Sequence, residues 1–265
     1  MSPHRKNKRA ALGIVSLAAA LATFPTHAAD THSDAHWATI NGHRMYYEMR
    51  GSGRPLLLLH GGGDSGSHSF ERQVDLFART HRIVLPDQVG QGHTPDVPGP
   101  LSYAGMLQDT VDLLHTLQLR RLDVVGFSDG GILALMLAVR HPELVRRVVI
   151  SGVNVQPEGL NANELDDLRA AAPPTPPATI DDKLRQLWLH SPTPQELSFR
   201  DLGKIRSPVL VMSGDRDAVS LEHTLKIYRA IPHADLCILP DTYHETFALR
   251  PKWVNPIALD FLDRR

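Results

Sequence analysis

Apolar residues along this chain fall into short unbroken runs, separated by longer stretches in which they recur every three or four positions. Residues 55–60 (PLLLLH), 82–87, 122–127, 145–153, 209–212 and 236–239 form the runs, several of them rich in Val and Ile. Continuous runs of this length predict strands buried on both faces, as in a parallel sheet covered by helices. Between them, residues 70–79, 103–119, 132–139, 180–190, 221–230 and 252–262 predict helices. In 103–119 the positions Met106, Leu107, Val111, Leu114 and Leu117 give an amphipathic spacing. The helix after 132 must stop at His141, because the residue before Pro142 avoids helical backbone. Ahead of the first run, 37–40 and 44–48 flank Asn41-Gly42, a two-residue hairpin signal. Strands alternating with helices imply an α/β fold, a mostly parallel sheet with helices on both faces.

The alternation lapses between residues 154 and 200, where two proline clusters (173–177 and 192–194) punctuate a polar stretch whose one clear helix is 180–190. This segment is expected to be a short Pro-rich lid over the sheet rather than a second domain. Residues 1–28 have another character: four basic residues at 5–9, an apolar stretch over 10–24, then Thr26-His27-Ala28. That order is expected of a secretory signal peptide, too short to span a membrane. Its removal is expected to leave one domain over 29–265 in the periplasm or outside the cell, with no stable membrane insertion after cleavage.

Composition adds limits. With 42% hydrophobic and 22% charged residues in 265, the chain has enough apolar mass for one large core. Without the leader, 24 Lys and Arg face 29 Asp and Glu, a net charge of −5. No basic stripe suits nucleic acid. The single cysteine, Cys237, lies in an apolar run and is expected to pack rather than react. No H-E-x-x-H or comparable spacing suggests a metal.

Candidate chemistry sits between the run at 122–127 and the helix that follows. Gly126-Phe127-Ser128-Asp129-Gly130 fits G-x-S-x-G, in which a sharp turn from strand to helix lifts a serine hydroxyl clear of the backbone. Glycine two residues to either side lets strand and helix approach closely enough. The helix start then offers partial positive charge to a developing oxyanion. A serine nucleophile needs a base, and the base an orienting acid. In an open α/β sheet such groups come from loops at the carboxyl ends of strands. One such end carries Asp215 and Asp217, and the last strand is followed by Asp241-Thr242-Tyr243-His244. His60, at the end of another run, is expected to brace the adjacent Gly61-Gly62-Gly63 loop.

The chain order Ser128, Asp217, His244 resembles that of the α/β-hydrolase superfamily. Within it, Ser128-Asp129-Gly130-Gly131-Ile132 and the turn from Asp87 to His93 resemble the valacyclovir-hydrolase, or biphenyl-hydrolase-like, family of α-amino-acid ester hydrolases. The resemblance implies that Asp217, through Gly214-x-x-Asp217, is the acid in place of Asp215. It implies an oxyanion hole from the backbone N–H groups of Gly62 and Asp129, with the Asp129 side chain binding a substrate ammonium. The chain departs from the family in having Tyr243 rather than Gly before the histidine, and Val89 where an Arg is usual. The implied activity is cofactor-free hydrolysis of a small-molecule carboxylic ester, with α-amino-acid esters as one substrate class. A lactonase or perhydrolase on the same three residues, or a non-catalytic ligand-binding protein of this fold, are the alternatives.

Overall fold

The central strands are apolar without alternation because both of their faces are covered. In β3 (Arg54–Leu59), Leu57 and Leu59 join one core cluster, Leu56 and Leu58 the other. β5 (Leu122–Phe127) divides Val124 from Val125, and β6 (Val145–Ser151) divides Val148 and Ile150 from Val149. The protein, here a computed structural model, is described over residues 34–264, so the leader expected over 1–28 lies outside the described residues.

Among the described residues one eight-stranded sheet runs in the order β1-β2-β4-β3-β5-β6-β7-β8. The remaining strands are β1 (Asp34–Ile40), β2 (His43–Arg50), β4 (His81–Pro86), β7 (Val209–Gly214) and β8 (Ala234–Leu239). β1 and β2 form the expected hairpin, with Asn41 and Gly42 at φ of 49° and 85° as a type I′ turn requires. β2 meets β4 antiparallel, and every later pairing is parallel.

One face carries α3 (Tyr103–Thr116), α4 (Asp129–Arg140) and α8 (Leu221–Ala230). The other carries α1 (Gly66–Ser69), α2 (Val74–Phe77), α9 (Thr246–Leu249) and α10 (Pro251–Asp263), packing Phe70, Val74, Phe77, Val254, Ala258 and Phe261. Of the helix expected over 70–79 only α2 is helical, with turns on either side, and α1 ends before it at Ser69. Asn255 Nδ2 donates to the Arg72 carbonyl at 2.9 Å, drawing it from the helical ladder, and the Gln73 amide is buried against Phe247 O and Asn255 Oδ1.

The segment after β6 contains α5 (Ala162–Ala170), α6 (Ile180–His190) and α7 (Phe199–Leu202). Helix α6 matches the expected 180–190, and α5 is additional. Of the α5 residues Leu165 alone is buried, so its sequence carried almost no apolar period to find.

Candidate active site

The elbow is built from strain and missing side chains. Ser128 sits between β5 and α4 at φ 51°, ψ −119°, a region that non-glycine residues rarely occupy. A Cβ on Gly126 would stand 2.3 Å from the Gly130 carbonyl oxygen, and one on Gly130 would stand 2.0 Å from the Leu59 oxygen. Neither position can hold another residue without moving backbone.

The structure brings together the three residues read from the sequence. His244 Nε2 lies 3.0 Å from Ser128 Oγ, and His244 Nδ1 lies 2.7 Å from Asp217 Oδ1. Asp217, 3% exposed, also accepts the Val219 N–H on Oδ1 and the Ser213 hydroxyl on Oδ2, both at 3.0 Å. With Nδ1–H donated to a carboxylate, Nε2 faces the serine as an acceptor. Asp215 lies elsewhere: it accepts the Thr242 N–H at 3.0 Å and braces the turn leading to His244.

The absence of glycine before His244 does no harm, because Tyr243 points outward, 55% exposed, and the positive φ falls at Asp241 instead. The glycine that the histidine does need is Gly152, past the end of β6. A Cβ there would stand 2.7 Å from His244 Cε1. Sequence reasoning passed over it.

His60 is 1% exposed and its ring nitrogens have distinct partners. Nε2 accepts the Gln88 N–H at 2.9 Å, so the proton is on Nδ1, donated to Gly61 O at 2.7 Å. It braces the glycine loop, as expected, and stands outside the proton path. Val89, in the place of the usual Arg, is buried in the core.

A cavity of about 510 Å³ opens over Ser128, and Gly62, Asp129, Trp188, Glu164 and Glu245 share its wall with His244. Gly62, on the glycine loop, and Asp129, at the start of α4, line this cavity together with Ser128. The Asp129 carboxylate, 7% exposed, receives the Tyr103 hydroxyl on Oδ1 at 2.8 Å and the Trp188 indole N–H on Oδ2 at 2.9 Å. Burial pushes its pKa above the usual carboxylate range, the two donors only partly opposing this. Burial and then the Asp129 charge hold the Tyr103 phenol well above its ordinary value, so it is a proton donor here. Neither Tyr103 nor Trp188 was singled out from the sequence. The one available signal was Trp188 continuing the apolar stripe of Ile180 and Leu184 on the lid helix.

Among the described residues no three His, Cys, Asp or Glu side chains gather as a metal ion would require. No helix among them is long and apolar enough to cross a membrane.

Comparison with known proteins agrees with this fold. The family described as alpha/beta hydrolase fold matches residues 54–191. A 2-hydroxymuconate semialdehyde hydrolase of Pseudomonas putida is 37% identical over 118 residues, covering 42% of this chain and 40% of its own. The human serine hydrolase BPHL is 27% identical over 247 residues, covering 84% of each chain. Among solved structures, an enol-lactonase from Burkholderia xenovorans LB400 superposes with a TM-score of 0.72 at 19% identity, over 86% of this chain and all of that one.

Proposed function

Since the chain belongs to the α/β-hydrolase fold family, we propose that it is a serine hydrolase that cleaves small carboxylic esters through an acyl-enzyme. The observation that carries this reading is the position of His244, within hydrogen-bonding reach of Ser128 on one side and Asp217 on the other.

His244 Nε2 takes the Ser128 proton as Oγ attacks the ester carbonyl, and Asp217 stabilises the imidazolium that results. The oxyanion is held by the N–H groups of Gly62 and Asp129; loss of one such donor typically lowers the rate about 10²–10³-fold. His244 then gives its proton to the departing alcohol. Water, activated by the same imidazole, attacks the acyl carbon and restores Ser128. The cavity is of a size for a small molecule.

An α-amino-acid ester is the substrate class that Asp129 favours. Its carboxylate lines the cavity, and the two donors it receives are both neutral groups. A desolvated carboxylate without a cation is stabilised by a substrate ammonium, and its oxygens keep lone pairs for one. The leader pattern over 1–28 is the sole support for a periplasmic or secreted location.

Ser128→Ala tests the central reading. Turnover of p-nitrophenyl butyrate should fall at least about 10³-fold, within the range seen when such a nucleophile is removed, and fluorophosphonate labelling should vanish. Undiminished turnover in a folded variant would refute it.

A further inference from the structure

The lid helix rests on glycine. Ile180, Leu184 and Trp188 recur every fourth residue along α6 and share one face. A Cβ on Gly90 would stand 2.3 Å from Ile180 Cδ1, one on Gly63 3.7 Å from Leu184 Cδ1, and one on Gly62 2.6 Å from Trp188 Cζ2. The glycines at 62 and 90 therefore let α6 come down on the loop beside Ser128 and on the turn after β4.

Two polar ties fix α6 there. Near its start, Lys183 Nζ donates to both carboxylate oxygens of Asp96 at 2.8 Å and to Val97 O at 2.7 Å. At its end, Trp188 donates to Asp129. Tyr103, reaching from α3 and 1% exposed, holds the other Asp129 oxygen and so fixes the carboxylate that Trp188 meets. A donor on a buried carboxylate makes a stronger bond than a neutral pair.

We propose that Trp188 latches the lid onto the nucleophile elbow through Asp129, and that Trp188 and Tyr103 are positioning residues for the reaction. The wall of the cavity formed by α6 exists while the indole bond holds. Asp129 then has two separable duties: its hydrogen bonds fasten the lid, and its charge answers an ammonium. The second duty rests on the substrate class proposed above; the first does not.

Two substitutions separate them. Asp129→Asn removes the charge and can keep both bonds, its carbonyl accepting the indole N–H and its amide donating to the Tyr103 hydroxyl, which accepts as well as donates. Trp188→Phe keeps the charge and a ring but removes the N–H. The readouts are kcat/KM for a valine p-nitrophenyl ester and for its deaminated counterpart, and the rate of tryptic cleavage within residues 154–200. Trp188→Phe should lower kcat/KM by about tenfold for both esters alike and speed lid cleavage by a similar factor, since one such bond is worth about that much. Asp129→Asn should be cleaved in the lid at the wild-type rate, and its kcat/KM should fall further for the valine ester than for the deaminated counterpart.

Gly62→Ala, whose Cβ would stand 2.4 Å from Asp129 Oδ2, should reproduce the faster lid cleavage and guards against a folding defect peculiar to Trp188→Phe. Wild-type lid cleavage and wild-type kcat/KM in Trp188→Phe would overturn the latch. An unchanged ester preference in Asp129→Asn would overturn the ammonium reading and leave the latch standing.

Discussion

His244 Nδ1 lies 2.7 Å from an Asp217 carboxylate whose two oxygens also receive the Ser213 hydroxyl and the Val219 N–H. The acid is thus fixed in orientation before it meets the imidazole. Burial by itself would lower the imidazole pKa. The hydrogen bond and charge of Asp217, helped by Glu245 and Asp129, outweigh burial and lift it above the ordinary value.

That shift sets a pH profile. The base must be neutral to accept the serine proton, so activity rises as pH climbs through the raised pKa. The acid limb of kcat/KM should lie above about 6.5, the unperturbed histidine value. Asp217→Asn removes the charge, so the limb should move to lower pH while the rate falls about 10⁴-fold, as it does where the same change has been made in a serine protease. A limb that stays in place in Asp217→Asn would separate Asp217 from the titration.

A second prediction concerns the far end of β5, the strand that leads into Ser128. Asp123 is fully buried near the start of β5, where Oδ2 receives Arg54 Nε at 2.8 Å and Arg146 Nη2 at 2.7 Å. Both arginines also bond the carbonyl of Leu262, which ties α10 to the sheet. Asp123→Ala takes the shared carboxylate from two partly exposed guanidinium groups, of which Arg54 keeps Asp263 at 2.7 Å, and should destabilise the fold by about 2–3 kcal/mol. Five residues of strand, about 16 Å, separate Asp123 from Ser128, so kcat of the folded fraction should be unchanged. Urea unfolding alongside active-site titration checks both halves. A loss under about 1 kcal/mol would make this ion cluster incidental.

The contrast between Asp123 and Ser128 marks how much a sequence can disclose. The strands were legible because burial on two faces leaves unbroken apolar runs. The elbow was legible because its glycines sit at fixed offsets along one short segment. Asp123 was hidden inside such a run, since its partners lie 69 residues before it and 23 after it. Trp188 was hidden for the same reason, meeting Asp129 across 59 residues. Gly152 was invisible because the ring it makes room for arrives from the far end of the sheet. Periodicity reports which face of an element is buried; it does not report which distant side chain will fill the space.

A last prediction follows from a histidine with no part in the proton transfer. His223, on α8, is 5% exposed and accepts the Val155 N–H on Nε2 at 3.1 Å, which requires a neutral ring. Phe199 of α7 packs edge-on against it at 5.3 Å, and a Cβ on Gly159 would come within 2.7 Å of the ring. Burial first, then the charge of Lys226, pushes its pKa down to about 4, with Glu158 opposing. In the unfolded chain the ring titrates near 6.5. Between those values the unfolded state binds a proton that the folded state refuses, so stability falls as pH drops from about 6.5 towards 4. Protonation also removes the acceptor for Val155, at the point where the chain leaves β6 for the lid. His223→Gln keeps an acceptor and abolishes the titration. Wild type should therefore lose on the order of 1–2 kcal/mol more than the variant between pH 7 and pH 4.5 in urea unfolding, allowing for partial solvent screening. Equal losses in the two proteins would mean that His223 is protonated as readily folded as unfolded, and that the lid base does not depend on its neutrality.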